Sequence, residues 1–476
     1  MEPLNTQPLG SSNSASLPEL ADRTDKTHTL RAASGKSEGS TPLPNNTAAG
    51  PHRVVVVGGG IAGLEIATKL PRIARKIPIA VTLIDREPAY VWKPMLHTIA
   101  AGTSDVSQQE THYIAQARDR HFSFEPGEMK GIDRQARRVY VGPLTIAGRL
   151  ILPERSIPYD TLILAIGSQA NDFGTPGVRD HCLMIDSRSQ ALDFNREVQA
   201  RMLESVAAKS TLHIAVVGGG ATGVELAAEL IQLTDIAAHY GAAGLRDQVK
   251  VTLVESGPRL LSAFPDRVAV AARKRLETLG ITVLTSAQVV AAEASCLQLA
   301  DGKQIPADLK VWAAGVKASD ACASLDGLEV TRSNQVVVRP SLQAASDPRI
   351  FAVGDCSSLA LGDGGKRLPV TAQVAHQQAA HLIRHLPGWL NGKDLPPFSF
   401  RDFGSIVSLG GYGAYGSLGK FGLFNGGFIR GRVAQLGHIL LYRSYQTQLH
   451  GFWRGGLIWL ADTINFYVRP RIRLHD

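Results

Sequence analysis

The chain has 476 residues, enough for roughly two to four domains with full cores, and its 44% hydrophobic and 19% charged residues exclude a disordered or fibrous protein. Its formal net charge of +8 admits three kinds of partner: nucleic acid, an anionic membrane surface or acidic ligands. The four cysteines, Cys182, Cys296, Cys322 and Cys356, form no CxxC pair, which excludes a disulfide scaffold or a zinc module; no metal is expected and a reducing compartment fits best.

Residues 1–51 are rich in Ser, Thr, Asn, Pro and Ala and poor in large apolar side chains. They read as a disordered extension that cannot bury enough surface to offset the entropy of ordering. A secretory signal is not expected, because the basic start, apolar run and cleavage site are missing. A transit peptide is the competing reading, opposed by the acids Glu2, Glu19, Asp22 and Glu38.

At Arg53 the pattern changes. Val54–Val57 predicts a strand, Gly58–Gly60 a tight turn, Ile61–Leu70 an amphipathic helix, and Ile79–Ile84 a second strand ending at Asp85. Gly58, Gly60 and Gly63 form a GxGxxG fingerprint: the first permits the turn, the second lets the backbone approach a pyrophosphate, and the third allows close helix–sheet packing. The helix start at Ile61 and Ala62 offers free N–H groups to the anion. Asp85, 22 residues after Gly63, suits a ribose hydroxyl.

Tyr159–Gly167 predicts a buried strand that ends in a glycine turn. The first unit then recurs 160 residues on, as His213–Val217, Gly218–Gly220 and Ala221–Leu233, followed by Val249–Val254 and Glu255. Gly218, Gly220 and Gly223 repeat the fingerprint. An acid at Glu255 favours NAD(H), since it would repel a 2′-phosphate, although Arg259 leaves that preference open. Lys310–Gly315 repeats the strand and glycine turn, Ile350–Asp355 gives another strand, and Thr371–Leu386 a helix.

This order predicts an α/β fold with two Rossmann-like dinucleotide-binding domains, the first split in sequence and the second inserted into it. The expected segments are 52–170, 171–336 and 337–398. Residues 399–476 form a third region. Over 401–476 it holds nine Lys/Arg against three acids, so +6 of the chain's +8 lies there, with 13 of the 29 aromatic residues. Leu436–Leu449 and Gly455–Val468 set apolar patches beside aromatic rings and arginines, a pattern that suits the interfacial zone of a bilayer. Charge interrupts these segments too often for a spanning helix. A core-packing or dimer-interface helix pair is the alternative, and nucleic acid is not expected because the basic residues form no block.

Two dinucleotide sites in one chain imply a nicotinamide brought to a flavin. VVVVGGGIAGLE (54–65), VTLIDREPAYVWKPMLHTIAAGT (81–103), VVGGGATGVELAAEL (216–230), VWAAGVKA (311–318), IFAVGDC (350–356) and AQVAHQQ (372–378) resemble the two-dinucleotide flavoprotein superfamily. WKPMLH, AQVAHQQ and the aromatic C-terminal region are together similar to its type II, single-subunit NADH:quinone oxidoreductases, from about Arg53 to the end of the chain.

The resemblance implies non-covalent FAD, NADH as co-substrate and a membrane quinone as acceptor. Gly58, Gly60, Ile61, Ala62, Gly63 and Asp85 would bind the ADP half of FAD, with Gly167 beside the pyrophosphate. Lys93 would line the isoalloxazine, Asp355 would meet the ribityl chain or phosphates, and Ala372 and Gln373 would approach the ring. Gly218, Gly220, Thr222, Gly223, Glu255 and Gly315 would hold NADH, with Glu225 near the two rings. Gln373 and His376 would line the quinone pocket, and with Glu225 they are the catalytic candidates for proton delivery or quinone positioning. The plainer readings are a helix cap for Asp355, a helix-dipole partner for Glu225 and a solvated histidine for His376.

No thiol pair stands beside the flavin position, which disfavours the disulfide reductases. Cys182 and Cys356 leave a sulfide:quinone oxidoreductase open, and a soluble NAD(P)H-dependent ferredoxin-reductase-like protein is the third reading. The resemblance further implies a peripheral enzyme on the cytoplasmic face of a bacterial-type inner membrane, docked through residues 399–476, with a homodimer as a possible assembly.

Overall fold

The run Val54–Val57 is apolar on both faces of a strand, so it is stable only inside a covered parallel sheet. All four residues are buried there. The computed structural model describes residues 50–468 except 75–76, 105–109, 243, 362–365, 419, 422–423 and 426. The expected N-terminal extension therefore lies almost wholly outside the described residues.

In chain order, the elements that position the site begin with β1 (His52–Val57), α1 (Ile61–Ile73), β2 (Ile79–Asp85), α2 (Leu96–Ala100), β3 (Ser123–Pro126) and β4 (Thr161–Leu164). Next come α3 (Arg188–Ala208), β5 (Leu212–Val217), α4 (Ala221–His239), β6 (Val249–Val254), β7 (Thr282–Leu284) and β8 (Leu309–Trp312). The chain returns through β9 (Val336–Val338), β10 (Gln343–Ala344), β11 (Asp347–Ala352), β12 (Ser357–Leu361), β13 (Lys366–Arg367) and α5 (Ala372–Leu390). The C-terminal region adds β14 (Gly404–Ser408), β15 (Ala414–Leu418), β16 (Phe428–Arg430), α6 (Arg432–His450) and α7 (Phe452–Val468).

The strands sort into two nucleotide-binding sheets. A 9-stranded sheet runs β13-β12-β9-β10-β11-β4-β1-β2-β3, and a 4-stranded sheet runs β7-β6-β5-β8. The first takes strands from both sides of the second in sequence, so the protein is α/β with one Rossmann-like domain inserted into another. Its central register is parallel, with Val55 opposite Leu162 on one side and Thr82 on the other. The inserted sheet repeats this, with Val216 opposite Leu253 and Val311. Residues 168–170 and 316–318 pair as an antiparallel ribbon between the two domains.

Gly63 lets α1 approach the turn after β1, and Gly58 lets that turn approach the end of β4. A Cβ on Gly63 would lie 1.8 Å from the Gly58 carbonyl oxygen, and one on Gly58, at φ +99°, would lie 2.4 Å from the Ala165 oxygen.

The C-terminal region differs from a simple docking tail. Its segment 404–418 with β16 forms an antiparallel sheet that the sequence patterns did not suggest. Val407 and Leu409 enter the core of the inserted domain, while Tyr445 and Leu449 of α6 enter the core of the first. Core packing, the alternative reading, thus describes one face of this region. The other face of α6 and α7 is exposed: Leu436, Leu440, Trp453, Leu457, Trp459 and Leu460 are each more than half accessible. Among the described residues no helix is long and apolar enough to cross a membrane.

Because the Gly63 contact is backbone on backbone, Gly63→Ala is expected to lose more than about 3 kcal/mol in denaturant unfolding. Gly60→Ala, where a Cβ meets nothing within 4 Å, is expected to stay within about 1 kcal/mol of wild type.

Candidate active site

Each fingerprint turn is stapled to the next strand by an acid. The Asp85 carboxylate accepts from the Gly59 N–H at 2.5 Å and the Glu87 N–H at 2.8 Å; burial nevertheless pushes its pKa up. Glu255 does the same in the inserted domain, accepting from Gly219 at 2.6 Å and Gly257 at 2.6 Å. Gly218 and Gly223 repeat the close approach, with a Cβ on Gly223 falling 2.0 Å from the Gly218 oxygen.

The residues present fit a dinucleotide at each turn. A Cβ on Gly60 or Gly220 would project into open space, and no side chain caps the start of α1 or α4. Helix N–H donors are therefore left without a side-chain acceptor at each turn, the arrangement that receives a pyrophosphate. Ile61 and Ala62 open the first helix, and Thr222 lies exposed on the first turn of the second. Gly167, at φ +77°, also opens onto free space. Beside it, Ser168 donates to Asp355 at 2.6 Å and its carbonyl accepts from the Lys93 ammonium at 2.7 Å. Lys93, Gly167 and Asp355, distant in sequence, thus converge. Gly315, at φ +64°, leads into the ribbon that pairs with 168–170.

The AQVAHQQ segment opens α5, with Thr371 as its N-cap accepting from the Val374 N–H at 3.3 Å. Its polar residues hold backbone. Gln373 accepts from the Phe403 N–H at 3.0 Å and donates to the Gly404 carbonyl at 3.2 Å. One turn later Gln377 donates to the Arg401 carbonyl at 2.7 Å and accepts from its N–H at 3.0 Å. Gln378, buried, accepts from the Gly354 N–H at 2.6 Å and so shapes the turn that carries Asp355. Ala372 is partly exposed at the helix start. His376 points elsewhere: its Nδ1 lies 2.7 Å from the buried Glu65 carboxylate of α1, whose other oxygen takes the Lys69 ammonium at 2.7 Å.

Glu225 is buried on α4 and accepts from the Ser408 N–H at 2.9 Å, with His97 Nδ1 at 3.5 Å. Burial pushes Glu225 up to about 8 and His97 down to about 3, so the two meet as neutral groups across most of the pH range. Glu229, one turn on, accepts from the Thr103 hydroxyl at 2.6 Å and is pushed by burial to about 7. A helix-dipole role for Glu225 does not describe this placement, because the side chain is sealed between α2 and β14.

Sequence reasoning missed Glu65, His97, Glu229 and Gln378. The first three were visible as ionisable residues on otherwise apolar helical faces, a pattern that calls for a buried partner.

The thiols stand apart from this chemistry. Cys356 is buried in the first domain and packs against the Leu164 and Val353 carbonyls, whereas Cys182 lies in a separate core of the inserted domain. Burial pushes both up to about 11, so neither supplies a thiolate near neutral pH. A sulfide-oxidising pair of cysteines finds no support in this arrangement.

Two dinucleotide cradles on adjoining parallel sheets define a two-dinucleotide oxidoreductase. Residues 52–379 match the pyridine nucleotide-disulphide oxidoreductase family, and the chain belongs to it. Within that class it is a member of the type II NADH:quinone oxidoreductases. It is 40% identical over 442 residues to the protein of that name from Haemophilus influenzae, covering 89% of this chain and 99% of that one. Among solved structures it is similar to NDH2 from Plasmodium falciparum in complex with NADH, with TM-score 0.75 and 18% identity over 88% of this chain and 99% of that one. It also shares its fold with the sulfide:quinone oxidoreductase of Aquifex aeolicus, with TM-score 0.65 and 18% identity over 89% of this chain and 96% of that one.

The buried acids set a pH dependence. Between about 4.5 and 8 the folded protein keeps protons on Glu225 and Glu229 that the unfolded chain has released, so stability falls as pH rises through that window and then levels off. Glu225→Gln or Glu229→Gln is expected to flatten the loss of Tm between pH 5 and pH 9 by about 2–4 °C each, read by thermal melts across pH.

Proposed function

We propose that the chain is a peripheral, non-proton-pumping NADH:quinone oxidoreductase with FAD as its resident cofactor. The observation that carries this reading is the pair of uncovered glycine cradles on two joined Rossmann-like domains, together with 40% identity along nearly the whole of a type II relative. FAD, when bound, supplies the hydride acceptor for the nicotinamide and the two-electron donor for the quinone.

The chain's own residues bind and orient. Gly58, Gly60, Ile61, Ala62 and Gly63 would hold the FAD pyrophosphate, and Asp85 would meet the ADP ribose. Gly167, Lys93 and Asp355 would lie along the remainder of the flavin, with Ala372 and Gln373 at the start of α5. Gly218, Gly220, Thr222, Gly223 and Gly315 would hold NADH, and Glu255 its ribose. On this reading residues 52–170 and 337–398 serve FAD, 171–336 serve NADH and 399–476 meet the membrane. Gln373, clamped to the 403–404 backbone, fixes the junction with the C-terminal region and keeps α5 in place beside the quinone. Glu225, neutral below about pH 8, holds a proton in a site closed to water.

The exposed apolar face of α6 and α7 is the proposed membrane contact. Leu436, Leu440, Trp453, Leu457, Trp459 and Leu460 line it, and the basic excess of residues 401–476 complements anionic headgroups. Arg443 of α6 pairs with Asp462 of α7, joining the two helices. The substrates support the same placement: a quinone is confined to lipid, and NADH, a charged dinucleotide, is available on the cytoplasmic face.

Anaerobic NADH is expected to bleach the purified flavoprotein, and a short-chain quinone to restore its colour; a protein that NADH does not bleach overturns the reading. Replacing Trp453 and Leu457 together by Asp is expected to weaken sedimentation with phosphatidylglycerol vesicles about tenfold or more, since each apolar side chain buried contributes about 1.5–3 kcal/mol.

A further inference from the structure

The membrane contact proposed above uses α6 and α7, yet a second set of arginines lies outside the C-terminal region. Arg72 stands in the last turn of α1, and Arg118 and Arg120 stand in the last turn of a short helix, Tyr113–Arg120. These three gather with Arg454 of α7 around one acid, Asp119. Burial, together with the nearby charges of Arg72 and Arg454, pushes the Arg120 guanidinium down, as expected of cations short of counter-charge.

The short helix is held on two sides. Tyr113, buried, donates from its hydroxyl to the Gly59 carbonyl at 2.9 Å, which ties the helix to the first fingerprint turn. At the other end Arg120 donates to the Leu449 carbonyl of α6 at 2.5 Å, and Asp119 takes the Arg454 guanidinium at 2.6 Å. The outward face carries Ile114 and Arg118, one turn apart and both exposed. Ile73 follows Arg72 at the end of α1. The side chains of Arg72 and Arg118 form no hydrogen bond or ion pair among the described residues.

Ile73, Ile114, Phe452 and Trp453 are each more than half accessible, and the last two rings meet edge to face at 5.5 Å. A single exposed isoleucine is ordinary on any surface, and an arginine in a last turn complements the helix dipole. Neither reading accounts for four arginines around one acid beside two isoleucines and an aromatic pair. Cationic heads on aliphatic stems, next to apolar side chains, suit the depth at which lipid phosphates give way to acyl chains. The excess of cations selects an anionic surface over a zwitterionic one.

Resting on the membrane reading above, we propose that the first nucleotide domain has its own footing on the bilayer: Arg72 and Arg118, with Arg120 and Arg454 beside them, hold the phosphodiester headgroups of anionic phospholipids while Ile73 and Ile114 enter the lipid next to Phe452 and Trp453. Because Tyr113 is bonded to the Gly59 turn, this footing sets the height of the first dinucleotide cradle above the lipid through a single short helix.

The test uses the full-length holoenzyme. The native cysteines are buried, so a cysteine placed on the surface takes a polarity-sensitive maleimide label in preference to them. With vesicles that contain phosphatidylglycerol, labels at Ile114→Cys and at Leu457→Cys are both expected to shift to the blue and to be quenched by lipids spin-labelled on the acyl chain. Replacing Arg72 and Arg118 together by Gln is expected to weaken binding to these vesicles about 30-fold, the effect of two basic side chains at an anionic surface. Binding to pure phosphatidylcholine vesicles and turnover of NADH with ferricyanide should stay unchanged in that variant.

A label at position 114 that remains in water while the one at 457 enters lipid would show that α6 and α7 dock without the first domain, and overturns the proposal. So would an equal loss on both kinds of vesicle, or a wild-type enzyme bound by duplex DNA as tightly as by the anionic vesicles, which would make the cluster a nucleic-acid surface. If neither label enters lipid, the membrane reading on which the proposal rests falls instead.

Discussion

The segment 401–412 is a strap on which the rest of the arrangement depends. At one end, Gln373 and Gln377 of α5 bind the backbone of residues 401–404 through four hydrogen bonds. At the other, the face of α4 takes over: Glu225 accepts from Ser408, Gln232 from Gly411, and Asp235 from the Tyr412 hydroxyl. Each bond contributes only about 0.5–1.5 kcal/mol net, but α5 belongs to the first nucleotide domain and α4 to the second. The strap therefore fixes the two cradles relative to each other. It also delivers the chain to α6 and α7 in a defined place, so the exposed apolar face stands at a set position relative to the nucleotide sites.

This dependence gives the buried acids a reason. The α4 face that meets the strap carries Glu225, Glu229, Gln232 and Asp235 at helical spacing, and the first two lie where a charge is poorly solvated. As neutral acids they hold backbone and hydroxyl donors without stranding a charge. Ionised, they would place two carboxylates one turn apart in the same closed space. A contact between domains is thereby tied to the solvent proton concentration, in an enzyme whose overall reaction consumes a proton.

Polar residues in AQVAHQQ divide their work by direction. Gln373 and Gln377 face the strap, Gln378 faces the Gly354 turn, and His376 faces α1. One helix thus sets the C-terminal region, the Asp355 turn and an imidazole–carboxylate pair at once, while its alanines leave room for close packing. Cys182 and Cys356 take no part: they lie in separate cores and are raised by burial, so the shared fold with a sulfide-oxidising flavoprotein does not bring that thiol chemistry with it.

The sequence by itself determined the two dinucleotide units, their nesting and the basic aromatic C-terminus, because each is written in local patterns. A β-branched run, a glycine turn and an amphipathic helix need only neighbours in the chain to be recognised. The glycines at 63 and 223 were legible for the same reason, since the clash they avoid is with the turn glycine at 58 or 218, whereas a Cβ on Gly58 or Gly218 would meet Ala165 or Ala313, far along the chain. Tertiary structure alone decided what the polar side chains touch. Glu65 and His376 are 311 residues apart, and Glu225 and Ser408 are 183 apart. No local periodicity encodes such partners, and an isolated acid on a helix reads equally as a cap, a solvated charge or a buried donor's mate. The same limit hid the sheet at 404–430, whose glycine-rich strands carry little alternation, and the double role of α6. Its apolar pattern fits a membrane face and a core face alike until the fold shows that Tyr445 and Leu449 are covered and Leu436 and Leu440 are not.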